Sequence, residues 1–99
     1  MMEDNELISV ALICSSYEIE PGFIDSLLDY GLIEVNEVGS ERFIESSRVV
    51  DLERMIHLHY DLEINLEGID TILHLLGKMY SLQEELAEMR NRLRFFGME

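Results

Sequence analysis

The stretch HLHYDLEINLEGI, residues 57–69, places two histidines among acidic side chains. Imidazole and carboxylate groups bind zinc and other transition metals, and His57, His59, Asp61, Glu63 and Glu67 all lie here. On a helix, side chains two positions apart point roughly 200° apart, so His57 and His59 cannot bind one ion. Only His57 and Asp61 face the same way. The spacing therefore predicts a surface pair of these two residues rather than a metal site.

The other residues that could do chemistry do not form a catalytic pattern. The single cysteine, Cys14, lies in an apolar run and is predicted to be a small buried hydrophobic side chain. The chain has no glycine-rich phosphate loop, no cysteine pair and no histidines in the HExxH arrangement. We therefore expect no enzymatic activity, no cofactor and no metal.

The cysteine count and the start of the sequence bear on the compartment. One cysteine cannot form an internal disulfide, which fits a reducing environment. The opening MMEDNELISV is acidic where a signal peptide needs positive charge, and no apolar run approaches the roughly 18 residues of a membrane span. We expect a cytoplasmic protein that does not bind membranes.

The net charge of −14 restricts the partners. There is no Lys or Arg before Arg42, while this region contains many carboxylates. A surface of this sign repels phosphate and anionic lipid and attracts basic proteins. The charge argues against direct binding of nucleic acid.

Two short helices and a hairpin are predicted in the first half. The run ISVALICSSYEI predicts an apolar helix around Ser9–Ser16, and Pro21 is suited to the first turn of a second helix. Gly31 is predicted to cap this second helix at its C-terminus. Its buried side is predicted to comprise Phe23, Ile24, Leu27, Leu28 and Tyr30.

The segment LIEVNEVGSERFIE predicts two strands around a turn at Gly39 and Ser40. Two helices followed by a small hairpin indicate a winged helix-turn-helix.

The second half is predicted to be helical. Ser46 or Ser47 is expected to cap a helix through RVVDLERMIHLHYDLEI, and Asn65 to cap a long last helix. Apolar residues follow a heptad pattern along that last helix: Ile72, Leu75, Met79, Leu82, Leu86, Met89, Leu93 and Phe96. We call this set the seam. We expect one folded unit, mostly α, with the winged helix-turn-helix in residues 1–45 and a two-helix, coiled-coil-like extension in residues 46–99.

Several of these segments together resemble a known family. They are YGLIE (residues 30–34), the aromatic second strand at Phe43, and the long stretch ERMIHLHYDLEINLEGIDTILHLLGKMYSLQEELAEMRNRL (residues 53–93). The chain resembles the chaperone-modulator family of the CbpM type, whose members are MerR-like. The resemblance covers nearly the whole chain, and DLEINLEGI (residues 61–69) is its most specific part. YGLIE is shared by MerR-like proteins generally.

The resemblance implies a function. Proteins of this family bind the J-domain of a DnaJ-like, CbpA-type co-chaperone and inhibit both its stimulation of Hsp70 and its DNA binding. J-domains present a basic helix, which agrees with the acidic charge of this chain. The chain departs from the family at His57 and His59, where arginine is frequent, and this leaves the role of those side chains open.

Six acidic residues are predicted to form the surface for the J-domain: Glu18, Glu20, Asp25, Asp29, Asp61 and Glu67. The alternative for these residues is that they only solvate the fold, as surface charges usually do. The alternative for the protein is a MerR-like DNA-binding transcriptional regulator. Its second helix would enter the major groove, but that helix carries Asp25 and Asp29. Another acidic interaction role also stays open.

The seam predicts an oligomeric state. Large apolar side chains left in water normally mark an interface. We expect a homodimer in which an antiparallel pair of last helices buries Met79, Leu82, Leu86, Met89, Leu93 and Phe96. The alternative is that the last helix folds back on its own domain.

Overall fold

Seven regular elements follow one another along residues 6–97, the part of the chain that the computed structural model describes. They are β1 (Leu7–Ser9), α1 (Val10–Tyr17), α2 (Pro21–Asp29), β2 (Asn36–Val38), β3 (Glu41–Glu45), α3 (Val49–Ile56) and α4 (Leu66–Phe95). A short 3-10 turn (Ser46–Arg48) precedes α3, and a π-helical turn (His57–Asp61), here called the π turn, follows it. The prediction of a mostly helical winged helix-turn-helix with a long last helix is confirmed.

The sheet has one strand more than the predicted hairpin. Its order is β1-β3-β2, with both pairs antiparallel. The predicted hairpin is present, and Gly39 takes φ +66° in its two-residue turn, a conformation that glycine adopts without steric cost. The helix predicted around Ser9–Ser16 is present as α1. The sequence did not indicate the strand before it, in which Ile8 pairs with Ile44; Ser9 ends this strand and caps α1 by accepting from the amide of Leu12.

Helix α2 ends as its sequence predicted. Gly31 has φ +73° and donates to the Leu28 carbonyl oxygen at 2.9 Å, while Leu32 donates to the Leu27 carbonyl oxygen at 2.9 Å. These two bonds form a Schellman motif, which needs a left-handed residue after the helix. The expected burial of Tyr30 is wrong, because its side chain is 41% exposed and its hydroxyl donates to the Glu67 carboxylate at 2.7 Å. The last turn directs this side chain towards the start of α4.

The core of the first 69 residues takes three buried side chains each from α1 and α2, two from α3, and one each from β3, the loop before α2 and the first turn of α4. Its largest fully buried members are Ile24, Leu27, Ile44, Leu52 and Ile69. Full burial of such a side chain contributes roughly 1.5–3 kcal/mol, so these few residues account for much of the stability of a small domain. Helix α1 packs against both the sheet and α2.

The segment between β3 and α4 is not one continuous helix. The capping position before the 3-10 turn is Glu45, and the one before α3 is Arg48; neither side chain forms a capping hydrogen bond. Because neither Ser46 nor Ser47 occupies a capping position, the predicted cap is wrong. After α3 the backbone widens into the π turn and then reverses through Glu63, at φ +57°. A pattern of apolar spacing cannot reveal this widening, because it depends on what the turn packs against.

Helix α4 begins where the sequence indicated. The Asn65 side-chain oxygen accepts from the amide of Gly68 at 2.8 Å, which satisfies one of the first-turn donors. The helix then continues for 30 residues.

The chain divides into two units, Met1–Ile69 and Asp70–Glu99. The first holds the sheet, α1, α2, α3, the π turn and the first turn of α4, and the second is the remainder of α4 with the chain end. Within residues 6–97 no helix is long and apolar enough to cross a membrane.

The two glycines inside α4 give a matched pair of stability predictions. A Cβ at position 77 meets nothing within 4 Å, so Gly77→Ala is expected to raise the free energy of unfolding by about 0.5–1 kcal/mol through helix propensity. A Cβ at position 68 would lie 2.6 Å from Ile64 Cγ2 and 3.1 Å from Asn65 Oδ1, and so would disturb the cap. Gly68→Ala is expected to lower stability by about 1–2 kcal/mol. Urea unfolding followed by circular dichroism measures both, and equal stabilisation by the two variants would contradict the packing at position 68.

Candidate protein-interaction surface

The six acidic residues predicted to bind a partner are all exposed. Glu18 follows α1 with φ +57°, and Glu20 directly precedes α2. The other four lie on α2 (Asp25 and Asp29), at the end of the π turn (Asp61) and in the first turn of α4 (Glu67). The fold thus places them around α2 and around the segment that comprises the π turn, the connection after it and the first residues of α4, which we call the corner (residues 57–67).

One of the two α2 carboxylates is partly neutralised. Asp25 forms an ion pair with Arg42 of β3 at 2.8 Å. Arg42 is the first Lys or Arg in the sequence, and its positive charge is used in an ion pair inside this domain. Asp29 shares this face of α2, four positions on. The side of α2 nearest the hairpin is therefore acidic at Asp29 and close to neutral at Asp25.

The other side of α2 contacts the corner at both of its ends. At the beginning, the amide of Glu20 donates to the Tyr60 hydroxyl at 3.4 Å. At the end, the Tyr30 hydroxyl donates to Glu67, and this hydrogen bond lowers the pKa of the Glu67 carboxyl. Glu67 therefore stays ionised to lower pH than an ordinary glutamate. The corner is thus linked to both ends of α2, through Glu20 at the beginning and through Glu67 at the end.

Three aromatic rings lie where the start of α2 meets the corner, and the sequence did not indicate them as a group. Phe23 stacks on His59, with ring centroids 4.7 Å apart and an interplanar angle of 21°. Tyr60 meets Phe23 at 5.3 Å and His59 at 5.0 Å, both edge-to-face. These are favourable geometries for aromatic pairs. The π turn makes them possible, because consecutive residues His59 and Tyr60 both reach the same ring of α2.

The histidines are held by local partners. His57 Nδ1 lies 2.7 Å from the Asp61 carboxylate, which confirms the predicted surface pair. His59 Nδ1 lies 3.0 Å from the Ile64 carbonyl oxygen; since a carbonyl can only accept, this nitrogen carries the proton. In the described residues, no group of three or more His, Cys, Asp or Glu side chains is arranged to hold a metal ion.

The remaining reactive groups are part of the scaffold. Burial raises the pKa of the Cys14 thiol, which is 8% exposed, so the thiolate form is disfavoured. The Tyr17 hydroxyl donates to the Glu53 carboxylate, and this bond raises the pKa of the tyrosine. It ties α1 to α3. Neither arrangement provides an activated nucleophile.

Most of the seam is exposed; its first residue, Ile72, is half-buried, and its last, Phe96, lies one residue beyond the end of α4. The predicted dimerisation residues are between 41% and 68% exposed: Met79, Leu82, Leu86, Met89, Leu93 and Phe96. Leu75, which precedes them in the pattern, is also exposed. An apolar row of this length normally marks an interface.

Charge is distributed unevenly between the two units. Of the 7 basic residues, only Arg42, Arg48 and Arg54 lie in Met1–Ile69, whereas most of the 21 acidic residues do. The strong negative charge therefore belongs to the unit that contains α2 and the corner.

Two comparisons with known proteins agree with this architecture. The model of a family described as MerR HTH family regulatory protein matches residues 8–91, from β1 through most of α4. The chaperone modulatory protein CbpM of Pseudomonas entomophila (strain L48) is 24% identical over 87 residues, which are 87% of this chain and 86% of that protein. No solved structure matches the chain significantly.

Proposed function

Because the chain belongs to the MerR helix-turn-helix family of regulatory proteins, we propose that it is a regulator that binds another protein in the cytoplasm. The proposed partner is the J-domain of a DnaJ-like, CbpA-type co-chaperone. Binding would inhibit the co-chaperone's stimulation of Hsp70 and its DNA binding. The similarity to a chaperone modulatory protein over most of both chains supports this choice of partner.

The observation that carries the proposal is the charge of α2 and its surroundings. In a DNA-binding helix-turn-helix, the second helix enters the major groove and basic residues contact phosphate. Here α2 carries Asp25 and Asp29 and no basic residue, and Arg42 of the hairpin pairs with Asp25. This surface favours a basic protein helix as its ligand.

The second candidate function is direct DNA binding as a transcriptional regulator. The family and the three-stranded sheet with its hairpin favour it. The charge of the surface around α2 opposes it, because much of the affinity of proteins for DNA comes from contacts of basic residues with phosphate, and an acidic surface repels phosphate.

We further propose that the protein is a homodimer through the seam. An antiparallel pair of α4 helices crossing near Glu88 would set the acidic block of one copy against the basic block of the other. Those blocks are Glu84, Glu85 and Glu88, and Arg90, Arg92 and Arg94. Charge pairs across such a helix pair set its orientation.

Three measurements with purified proteins test the function. Isothermal titration calorimetry with the isolated J-domain of a CbpA-type co-chaperone is expected to show saturable binding that weakens with added salt. The co-chaperone's stimulation of Hsp70 ATPase is expected to fall as the protein is added. A gel shift with duplex DNA at physiological salt is expected to show no complex. Binding to DNA without binding to the J-domain would replace the chaperone function with the transcriptional one.

A further inference from the structure

A pocket of about 230 Å³ lies beside the three aromatic rings. Phe23, His59 and Tyr60 line it together with Glu20 and Ser26, and Gly22 leaves one side open because it has no side chain. A water in the liquid occupies roughly 30 Å³, so the pocket has room for one extended polar side chain rather than a whole peptide segment.

The rings of the pocket are held in place without a ligand. Phe23 is buried, and His59 is fixed between that ring and the Ile64 carbonyl oxygen. Tyr60 is 41% exposed, yet its hydroxyl accepts from the Glu20 amide and its ring meets two other rings. Tyr60 therefore offers an accessible aromatic surface in a set orientation, which reduces the entropy lost on binding.

The charge around the pocket selects a cation. Its two contributing segments, residues 18–30 and 57–69, contain seven carboxylates and no Lys or Arg. Aromatic faces attract cations through their quadrupole, and Glu20, a residue that lines the pocket, carries a negative charge that adds to this attraction.

The start of α2 offers few free donors to an anion. Pro21 has no amide hydrogen, the Glu20 amide donates to Tyr60, and the Phe23 amide donates to the Glu20 carbonyl oxygen at 3.0 Å. These groups are not available to phosphate or carboxylate, and the neighbouring carboxylates repel anions.

We propose that this pocket receives one basic side chain of the protein partner, with arginine preferred over lysine. The guanidinium group is planar and stacks on aromatic faces, while its N–H groups can donate to Glu20. The proposal rests on the proposed function for the identity of the partner, but the affinity of the pocket for a guanidinium group does not depend on it.

The first test examines the pocket alone. The full chain is titrated with N-acetyl-arginine amide and with N-acetyl-citrulline amide, a neutral analogue of similar shape, while NMR follows the ring signals of Phe23, His59 and Tyr60. Saturable shifts of these rings with the arginine compound, absent with citrulline and lost in Tyr60→Leu, are expected. Equal shifts with both compounds, or shifts spread evenly over the acidic surface, would overturn the proposal.

The second test asks whether the partner uses the pocket. In titrations with the isolated J-domain, Tyr60→Leu is expected to weaken binding about five- to thirtyfold, the range of a cation–π contact. Tyr60→Phe keeps the ring and is expected to stay within about threefold of wild type. The control is Tyr80→Leu, which removes an exposed tyrosine of α4. Unfolding curves establish that each variant is folded.

The outcomes separate the two proposals. Arginine binding in the pocket with no J-domain binding by the wild type supports the pocket and overturns the proposed function. J-domain binding that is unchanged in folded Tyr60→Leu overturns the pocket as a partner site and leaves the proposed function in place.

Discussion

A chain carrying Leu86→Glu and Met89→Glu is expected to be a folded monomer at concentrations where the wild type is a homodimer. Both residues lie in the exposed seam of α4. In a two-fold helix pair, the change removes four buried apolar side chains and places carboxylates in their stead. At roughly 1.5–3 kcal/mol for each side chain, the dissociation constant is expected to rise at least a thousandfold.

Sedimentation velocity over a range of protein concentrations measures this effect. Ser81→Glu with Asn91→Glu is the matched control, since both positions lie on α4 outside the seam and are exposed. The control variant is expected to remain dimeric. A wild type that is already monomeric, with loss of the fold in the seam variant at every concentration, would show instead that the seam belongs to the protein's own core.

Reversing the charge of α2 is expected to have the largest effect on partner binding. With Asp25→Lys and Asp29→Lys, the association rate with the J-domain is expected to fall about tenfold or more at low salt. The dependence of that rate on salt is expected to weaken, because long-range attraction is what salt screens. Stopped-flow fluorescence at several salt concentrations measures both quantities.

The ion pair between Asp25 and Arg42 requires a second variant. A lysine at position 25 would face Arg42 and could shift the hairpin, whereas Asp25→Asn with Asp29→Asn removes the charge and keeps the side-chain size. The neutral variant is expected to show a smaller decrease in the same direction.

The control for net charge is Glu34→Lys with Glu37→Lys, two exposed residues outside α2 and the corner. It is expected to slow association less than the α2 reversal does. Equal effects would mean that overall charge alone drives the encounter. Unchanged binding in the α2 variant would move the site to the corner near Asp61 and Glu67.

Much of the fold could be predicted because it depends on neighbours in the sequence. Gly31 ends α2, Asn65 begins α4 and His57 pairs with Asp61. The hydrogen bonds involved join residues that are at most five positions apart in the sequence. The sign of the charge and the spacing of the seam are likewise properties of the sequence, since neither depends on how distant segments meet.

The candidate site could not be assembled from the sequence for the opposite reason. Strand β1 pairs with β3, and Glu20 meets Tyr60, only because the core brings together segments about 40 residues apart. The π turn brings both His59 and Tyr60 to Phe23. The spacing of apolar residues in the sequence does not distinguish this turn from an ordinary α-helix.

The sequence by itself determined the four helices and the hairpin, the residues that end α2 and begin α4, and the acidic character of the surface, but not β1 or the π turn. Tertiary structure alone decided that Asp25 is paired with Arg42, that Tyr30 reaches Glu67, and which rings surround the pocket. The physical reason is that local propensity and charge act along the chain, whereas side-chain direction is set by packing against residues far away in the sequence.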